Sequence, residues 1–287
     1  MGYIDYNGIR YEDTSLQDQF LRKLYGNALG RGIVKILTVP VISKIAGTIL
    51  NLPVSTCAIK PFIEKNKIDM SEYVEKEYTS YNDFFMREIK AGARPLPEDE
   101  DVLISPGDGR VSIFPVTKDG VFQIKHAPYT VATLLRDKKL AKKYEGGYCI
   151  LVRLCVNDYH RYCYVANGEK TVNRRIEGIL HTVNPAAAEQ FPIYKENSRE
   201  YTMIHTDRFG DVIQMEIGAL MVGKIVNLHE KAQVQRGQEK GHFEFGGSSI
   251  ILLVEKDQIE IRKDLISHTE EGYETLIRQG QELGRKL

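Results

Sequence analysis

The chain has 287 residues, which is enough for one large domain or two small ones. Its 39 lysines and arginines balance its 39 aspartates and glutamates, so bulk charge does not favour nucleic-acid binding. The 4 cysteines have no Cys-x-x-Cys spacing, which argues against a zinc knuckle or a disulfide framework and fits a reducing compartment. The polar, mixed-charge first residues carry no recognisable secretory signal.

Residues 15–52 are predicted to be largely helical. The apolar stretch 31–50 is interrupted by Lys35, Pro40 and Lys44, whereas a membrane-spanning helix needs about 20 mostly apolar residues. Two short amphipathic helices hinged at Pro40 fit better, and their basic, apolar pattern is typical of helices in a membrane interface. Packing of the same helices on the protein's own core is an equally good interpretation.

Further helix is predicted over residues 58–92. A proline-rich segment and an acidic run then form a stiff, solvated connector that ends at Asp101. We therefore predict an N-terminal helical, membrane-associating region over residues 1–100 and a β-rich domain over residues 101–287.

After residue 101, short runs rich in Val, Ile, Tyr and Phe alternate with Asp-Gly, Asn-Gly and Gly-Gly turns, a pattern that predicts strands. Helix is predicted only at Val131–Lys143 and in the C-terminal tail from about Ser267. The predicted fold class is α+β, with a mainly antiparallel β core resembling a sandwich or barrel, an N-terminal helical region and helices at the edges.

Gly246-Gly247-Ser248-Ser249 leads directly into the apolar run Ile250–Val254. The two glycines and the apolar run, taken alone, indicate a strand that begins after a glycine bend. Upstream, however, the chain offers a carboxylate at Asp108 and imidazoles at His160 and His181, the groups that activate a serine. The Gly-x-Ser-x-Gly pattern of many hydrolases is absent, so the serine after Gly-Gly suggests attack on the preceding carbonyl.

Several motifs occur in one order along most of the chain, and together they resemble the phosphatidylserine decarboxylases. They include Tyr81-Asn82-Asp83-Phe84-Phe85, Arg94-Pro95, Ser105-Pro-Gly-Asp-Gly109, Asp158-Tyr-His-Arg161, Gly237-x-Glu239-x-Gly241 and Gly246-Gly247-Ser248-Ser249.

The resemblance implies a proenzyme that cleaves itself between Gly247 and Ser248 into a β chain, 1–247, and an α chain, 248–287. Ser248 would become a pyruvoyl cofactor, which forms a Schiff base with phosphatidylserine during its conversion to phosphatidylethanolamine. Residue by residue, Ser248 and Asp108 match the family's self-cleavage groups. His160 matches the first histidine, which is linked to decarboxylation, and no metal ligand set is predicted.

One position departs from the family pattern, because Cys163 stands where the second histidine, the one used in self-cleavage, is usual. Either His160 serves both steps, or His181 or Cys163 substitutes, or processing is slow or absent. The alternatives to an active decarboxylase are therefore a processing-defective lipid-binding relative and, from another class, a hydrolase that uses Cys163 and His160.

A diacyl substrate and the basic amphipathic stretch 31–50 predict a peripheral protein on the cytoplasmic face of the cell membrane. The predicted partners are phosphatidylserine, the membrane surface and the two chains of one proenzyme, without nucleic acid. The sequence leaves the oligomeric state open, with a homodimer as one option.

Overall fold

The computed structural model describes residues 2–12, 47–124, 127–179, 193–218, 224–246 and 248–287. Among the sequence predictions, those that concern His181, Gly247 and most of the stretch 31–50 lie outside the described residues.

Short strands dominate the described chain, as the Val- and Ile-rich runs between turn residues predict. In chain order they are β1 (Gly2–Ile4), β2 (Arg10–Tyr11), β3 (Val102–Ile104), β4 (Gly109–Pro115), β5 (Val121–Ile124), β6 (Ala127–Thr130), β7 (Tyr148–Leu154), β8 (Arg161–Cys163), β9 (Gly168–Lys170), β10 (Arg174–Ile176), β11 (Arg199–Thr206), β12 (Asp211–Gly218), β13 (Ile225–Asn227), β14 (Ala232–Val234), β15 (Glu239–Phe243), β16 (Ser248–Val254), β17 (Ile259–Ile261), β18 (Tyr273–Ile277) and β19 (Glu282–Lys286).

The helices are short and lie around these strands. They are α1 (Ile59–Asn66), α2 (Tyr81–Phe85), α3 (Val131–Leu135), α4 (Lys138–Ala141), α5 (Ile193–Glu196) and α6 (Lys263–Glu270). Single 3-10 segments cover Pro53–Ala58, Met70–Glu72 and Lys142–Tyr144, and residues 47–50 are also helical. Within the described ranges, no helix is long and apolar enough to cross a bilayer.

One large sheet has the strand order β14-β9-β11-β12-β16-β7-β4-β18-β1-β2, with β10 paired to β11. Its neighbouring strands are antiparallel except for β1 and β18, which are parallel. Strand β16 lies between β12 and β7, and all of its residues are buried. Burial on both faces explains why the run Ile250–Val254 is uniformly apolar instead of alternating.

Smaller sheets pack around the large one, with the orders β13-β15-β8 and β17-β19-β3, and β5 pairs with β6. The α+β class with a mainly antiparallel core is thus confirmed, whereas the strands of the described ranges do not close into a barrel. The β13-β15-β8 sheet is important for the site because β8 begins directly after His160 and β15 ends shortly before Ser248.

The N-terminal region is not purely helical, because β1 and β2 join the large sheet beside the C-terminal strand β18. The rings of Tyr3 and Tyr11 stack at 5.0 Å between centroids. A Cβ on Gly2 would lie 2.7 Å from the Tyr11 carbonyl oxygen, so this close pairing requires glycine. Strands of two or three residues are too short to show a period of two, which is why the sequence did not reveal them. The boundary at residue 101 stays a prediction.

Three helix predictions need correction. Over the predicted helical stretch 58–92, the α-helices are α1 and α2, a 3-10 segment covers Met70–Glu72, and Tyr73 pairs with Ile89 in an antiparallel bridge. The predicted helix Val131–Lys143 is broken, because Arg136 adopts a left-handed conformation (φ 50°) and Asp137 caps a new helix. The predicted C-terminal helix from about Ser267 is wrong beyond Glu270. Gly272, at φ 86°, follows α6, and the chain then pairs as β18 and β19. Pairing with the rest of the sheet overrides the local helix preference.

Candidate active site

Ser248 is the first residue of the central strand β16. Its backbone pairs with Gly218 of β12 on one side and with Leu154 of β7 on the other, and its side chain is fully buried. The hydroxyl therefore has a fixed position inside the protein. Gly246, two residues earlier, has φ 135°, a backbone conformation that favours glycine and accounts for this part of the Gly-Gly-Ser-Ser motif.

His160 lies against this hydroxyl, with its Nδ1 3.4 Å from Ser248 Oγ. The imidazole is fully buried and stacks on the Phe85 ring at 3.9 Å between centroids. The Phe243 amide donates to the His160 carbonyl at 2.9 Å, which ties the start of β8 to the end of β15. The structure thus brings together the histidine and the serine that the sequence singled out.

The second ring nitrogen of His160 determines which tautomer is present. Nε2 lies 3.0 Å from the Cys155 carbonyl oxygen, which can only accept a hydrogen bond, so Nε2 carries the hydrogen. In the neutral ring Nδ1 then has a free lone pair and can accept the Ser248 hydroxyl proton. Burial first, and the Arg87 charge second, lower the pKa of His160 to about 3, which keeps the ring neutral at physiological pH.

The carbonyl that holds His160 belongs to a closed turn, 155–158. The Asp158 amide donates to the Cys155 carbonyl at 2.9 Å, and the Cys155 amide donates to Asp158 Oδ2 at 2.7 Å. Burial is the main cause that raises the pKa of Asp158 to about 6. The sequence marked this segment as a costly polar interruption of a β run. In the structure, this turn orients the His160 imidazole through the Cys155 carbonyl.

Asp108 lies at the start of β4, and its carboxylate is held by other groups. Arg94 donates to both of its oxygens, at 2.9 and 2.6 Å, and the Gln279 amide donates to Oδ1 at 2.8 Å. Within the described ranges, these bonds connect Asp108 to neither Ser248 nor His160. Asp108 and Asp158 instead share the lining of a cavity of about 340 Å³, which residues of the turn 155–158 also line.

Cys163 lies on the Asp108 side of the site. Its amide donates to the Pro106 carbonyl at 2.8 Å, and its Sγ lies 3.9 Å from the Ser105 carbonyl oxygen. Burial raises the pKa of the thiol to about 12, so the nucleophilic thiolate is disfavoured. This protonation state argues against both a hydrolase based on Cys163 and a role for Cys163 as the missing base.

Helix α2 holds the segment that precedes the proposed cut. Asn82 Oδ1 accepts the Phe245 amide at 2.9 Å, and the Phe245 ring packs edge-on against Tyr81 and Phe85, at 5.3 and 5.1 Å between centroids. Sequence reasoning used this motif for the family resemblance but gave it no role. Its signal was the dense aromatic cluster around a buried asparagine.

Metal ligation was not predicted from the sequence. Among the residues that the structure describes, no group of three or more His, Cys, Asp or Glu side chains is placed to hold a metal ion. The four cysteines are free thiols.

Comparison with known proteins agrees with the motif order. A family model described as phosphatidylserine decarboxylase matches residues 81–285. Phosphatidylserine decarboxylase proenzyme 2 of Clostridium acetobutylicum is 42% identical over 98% of this chain and 96% of that protein. A phosphatidylserine decarboxylase proenzyme of Fusobacterium nucleatum is 39% identical over 93% of this chain and 91% of that protein. One from Clostridium perfringens is 36% identical, with 93% of each chain covered.

The family model covers more than half of the chain, and these relatives match nearly its whole length. The resemblance that the motifs indicated is therefore confirmed: the chain belongs to the phosphatidylserine decarboxylase family.

Proposed function

We propose that this protein is a proenzyme that cuts its own chain between Gly247 and Ser248 and then decarboxylates phosphatidylserine to phosphatidylethanolamine. The observation that carries the proposal is the buried contact between Ser248 Oγ and His160 Nδ1, with the tautomer fixed by the Cys155 carbonyl. A neutral imidazole whose free lone pair faces a buried hydroxyl is the arrangement that general-base activation requires.

In the first step His160 Nδ1 takes the Ser248 hydroxyl proton while Oγ attacks the carbonyl carbon of residue 247. The C–N bond breaks, the nitrogen of residue 248 receives the proton, and the amide becomes an ester. Elimination then transfers the α-proton of residue 248 to a base and breaks its Cβ–Oγ bond, which gives residue 247 a free carboxylate. Water hydrolyses the remaining dehydroalanine and releases ammonia, which leaves a pyruvoyl group at the new terminus.

The residues present fit such a group, because position 248 starts a central strand, is fully buried and has an imidazole in contact. Once formed, the pyruvoyl group supplies a carbonyl that takes the substrate amine and accepts the electron pair left when carbon dioxide departs. Backbone pairing with Gly218 and Leu154 would hold this position after the cut. His160 faces the same atoms and is the proposed carrier of the proton that replaces the carboxyl group.

Mass spectrometry of the purified protein tests the proposal directly. The expected products are fragments 1–247 and 248–287, the smaller one with a pyruvoyl terminus, and Ser248→Ala should remain a single inactive chain. Ser249→Ala is the matched control, because Ser249 is equally buried but points to the opposite face of the strand. A wild-type chain that stays intact, or a Ser248→Ala chain that still splits, would contradict self-cleavage at this serine.

The proposed substrate is a lipid, so we also propose that the protein works as a peripheral protein on the cytoplasmic membrane face. Support comes from three exposed apolar side chains close together in the chain before α1: Ile49, Leu52 and Val54, which are 54, 47 and 70% exposed. Exposed apolar side chains in such a cluster are typical of interaction surfaces.

Flotation with vesicles that contain phosphatidylserine tests the membrane proposal. Replacing Leu52 and Val54 by aspartate should reduce the floated fraction, because charged side chains oppose insertion into the interface. Val172→Asp is the control, since Val172 is also exposed but lies beyond β9. Equal flotation of all three proteins would place the contact elsewhere. A homodimer stays a prediction, which sedimentation velocity of the purified protein would test.

A further inference from the structure

Arg87 is a fully buried cation, and within the described ranges its guanidinium bonds to no carboxylate. Its Nη2 donates to Tyr73 Oη at 3.2 Å and to the carbonyl oxygens of Asn157 and Asp158, both at 3.0 Å. The guanidinium carbon lies 4.4 Å from the centre of the Tyr73 ring and 5.0 Å from that of Phe84. Within the described chain, Nε and Nη1 bond to no protein atom. A charge buried in this way loses its hydration without gaining an opposite charge, which is costly. Buried ions are therefore normally paired.

The carbonyls that Arg87 holds belong to the turn that also orients His160. Phe85, two residues before Arg87, stacks on the His160 ring at 3.9 Å between centroids. The Cys155 carbonyl of the turn accepts from His160 Nε2 at 3.0 Å. One short segment after the start of α2 therefore supplies both a ring beside the imidazole and a cation that fixes its supporting turn.

We propose that Arg87 is a positioning residue for self-cleavage: its guanidinium fixes the turn 155–158, whose Cys155 carbonyl holds the His160 ring with Nδ1 facing Ser248 Oγ. The inference rests on the proposed function. In decarboxylation the same clamp would keep the imidazole aligned with position 248.

The charges around His160 favour this assignment. Asp158 is itself part of this turn, and Asp108, which is paired with Arg94, acts on the Asp158 carboxyl. Two further guanidinium groups act on the Asp158 carboxyl: Arg110 and Arg153. An ionised Asp158 would favour an imidazolium, and the Arg87 cation opposes it. After burial, Arg87 is the main cause that lowers the pKa of His160.

The test is the rate of self-cleavage as a function of pH. Full-length precursor is labelled during cell-free synthesis, transferred to buffers between about pH 2.5 and 8, and followed on denaturing gels. In the wild type, the rate should fall only at the acidic end, because His160 must be neutral to accept the proton. Arg87→Met removes a positive charge, so the imidazole gains a proton more readily. The acidic limb of the profile, the pH range in which the cleavage rate falls, should therefore move to higher pH by about 1 unit or more. Its plateau rate should fall about tenfold or more, because the turn is released.

Arg87→Lys separates the two effects. It keeps the charge but loses the planar donor that reaches two carbonyls, so the acidic limb should stay in place while the plateau falls. Arg199→Met is the matched control, since Arg199 is also fully buried and donates to backbone carbonyls, those of Thr133, Leu134, Lys195 and Asn197. That variant should lose stability and keep the wild-type limb.

An Arg87→Met profile that coincides with the wild type would overturn the inference, and so would an upward limb shift in Arg87→Lys. The lysine variant decides the question if the methionine variant does not fold. An uncut wild type would instead contradict the proposed function, so the two failures are distinguishable.

Discussion

Burial acts in opposite directions on the two side chains considered as proton acceptors for Ser248. It disfavours the charged form of each, so it lowers the pKa of His160 and raises that of Cys163. The basic form of histidine is the neutral one, whereas the basic form of cysteine is the anion. The same desolvation therefore keeps His160 in its neutral form, which can accept a proton, and keeps Cys163 in its protonated form, which cannot act as the base.

We expect His160→Gln to slow self-cleavage by about 10²-fold or more, the usual contribution of a positioned general base. Glutamine is polar and of similar size, so the fold should persist, which circular dichroism would verify. The measurement is the time course of precursor loss on denaturing gels. Cleavage at the wild-type rate would show that another group accepts the Ser248 proton.

We expect Cys163→Ala to cleave within about threefold of the wild type, because a buried, protonated thiol contributes little basicity. Cys149→Ala serves as the control for loss of a buried sulfur, since Cys149 is also fully buried, in β7. If the Cys163 variant alone lost cleavage, Cys163 would have to take part in the self-cleavage reaction. Cys163→His should then accelerate the reaction.

At the scale of single elements, α2 is the support for the segment before the cut. Its Ser80 cap accepts the Asp83 amide, and its Asn82 side chain joins the Phe245 amide to Asn51, with both bonds at 2.9 Å. A five-residue helix is not stable by itself, so the aromatic packing around it must fix its place. The contact between α2 and Phe245 therefore fixes the position of the segment before Ser248 while the chain is still uncut.

Asn82→Ala should therefore slow self-cleavage and lower the free energy of unfolding by about 1–3 kcal/mol, because the Phe245 amide loses its partner. Urea unfolding in the uncut Ser248→Ala background measures the stability, and gel time courses measure the rate. Asn66→Ala is the control, since among the described residues its side chain donates only to the Phe62 carbonyl of its own helix. Equal rates for both asparagine variants would contradict a supporting role for α2.

The elements that sequence could predict are those whose pattern is local and long. β4, β7, β12 and β16 are apolar runs bounded by turn residues, the pattern that predicts strands after residue 101. The strands β18 and β19 were missed because polar residues within them resemble an exposed helical tail, and only their partners across the sheet reveal them. The local conformational preference of a sequence cannot reveal a pairing strand that lies more than 150 residues away in the chain.

Across the whole molecule, a buried ion pair joins the two sheets that carry the site. Lys240 Nζ of β15 lies 2.6 Å from Glu216 Oε2 of β12, and both side chains are fully buried. Asn227 of β13 accepts from Lys240 at 2.6 Å and donates to Glu216 at 3.2 Å. The small sheet beside His160 is thereby fixed to the strand that pairs with Ser248.

Lys240→Met should lower the free energy of unfolding by about 3–5 kcal/mol, because it leaves a buried carboxylate without its partner. The double variant Lys240→Met/Glu216→Leu should recover part of the loss, since it removes both charges. Urea unfolding in the Ser248→Ala background is the measurement, with Lys231→Met, which breaks an exposed pair with Glu169, as a control of unchanged stability. A double variant less stable than the single one would refute this account.

The candidate site was predictable only in part, for a physical reason. Sequence identified Ser248, His160 and Asp108 by chemical type and motif, but their spacing could not show that His160 contacts the serine while Asp108 pairs with Arg94. Arg87 carries no reactive group, so nothing in its local pattern indicated a role. Its importance follows from three carbonyl and hydroxyl contacts that exist only after folding.

The central place of β16 between β12 and β7 has a consequence for the order of events in the cell. The proposed shorter product supplies an interior strand, so assembly has to precede scission: an isolated 40-residue peptide would have to insert into a sheet that lacks its middle. Synthesis as one polypeptide makes that insertion intramolecular. Once separated by denaturant, the two pieces would meet only by diffusion, and their recovery should decline on dilution while the unprocessed precursor renatures independently of concentration.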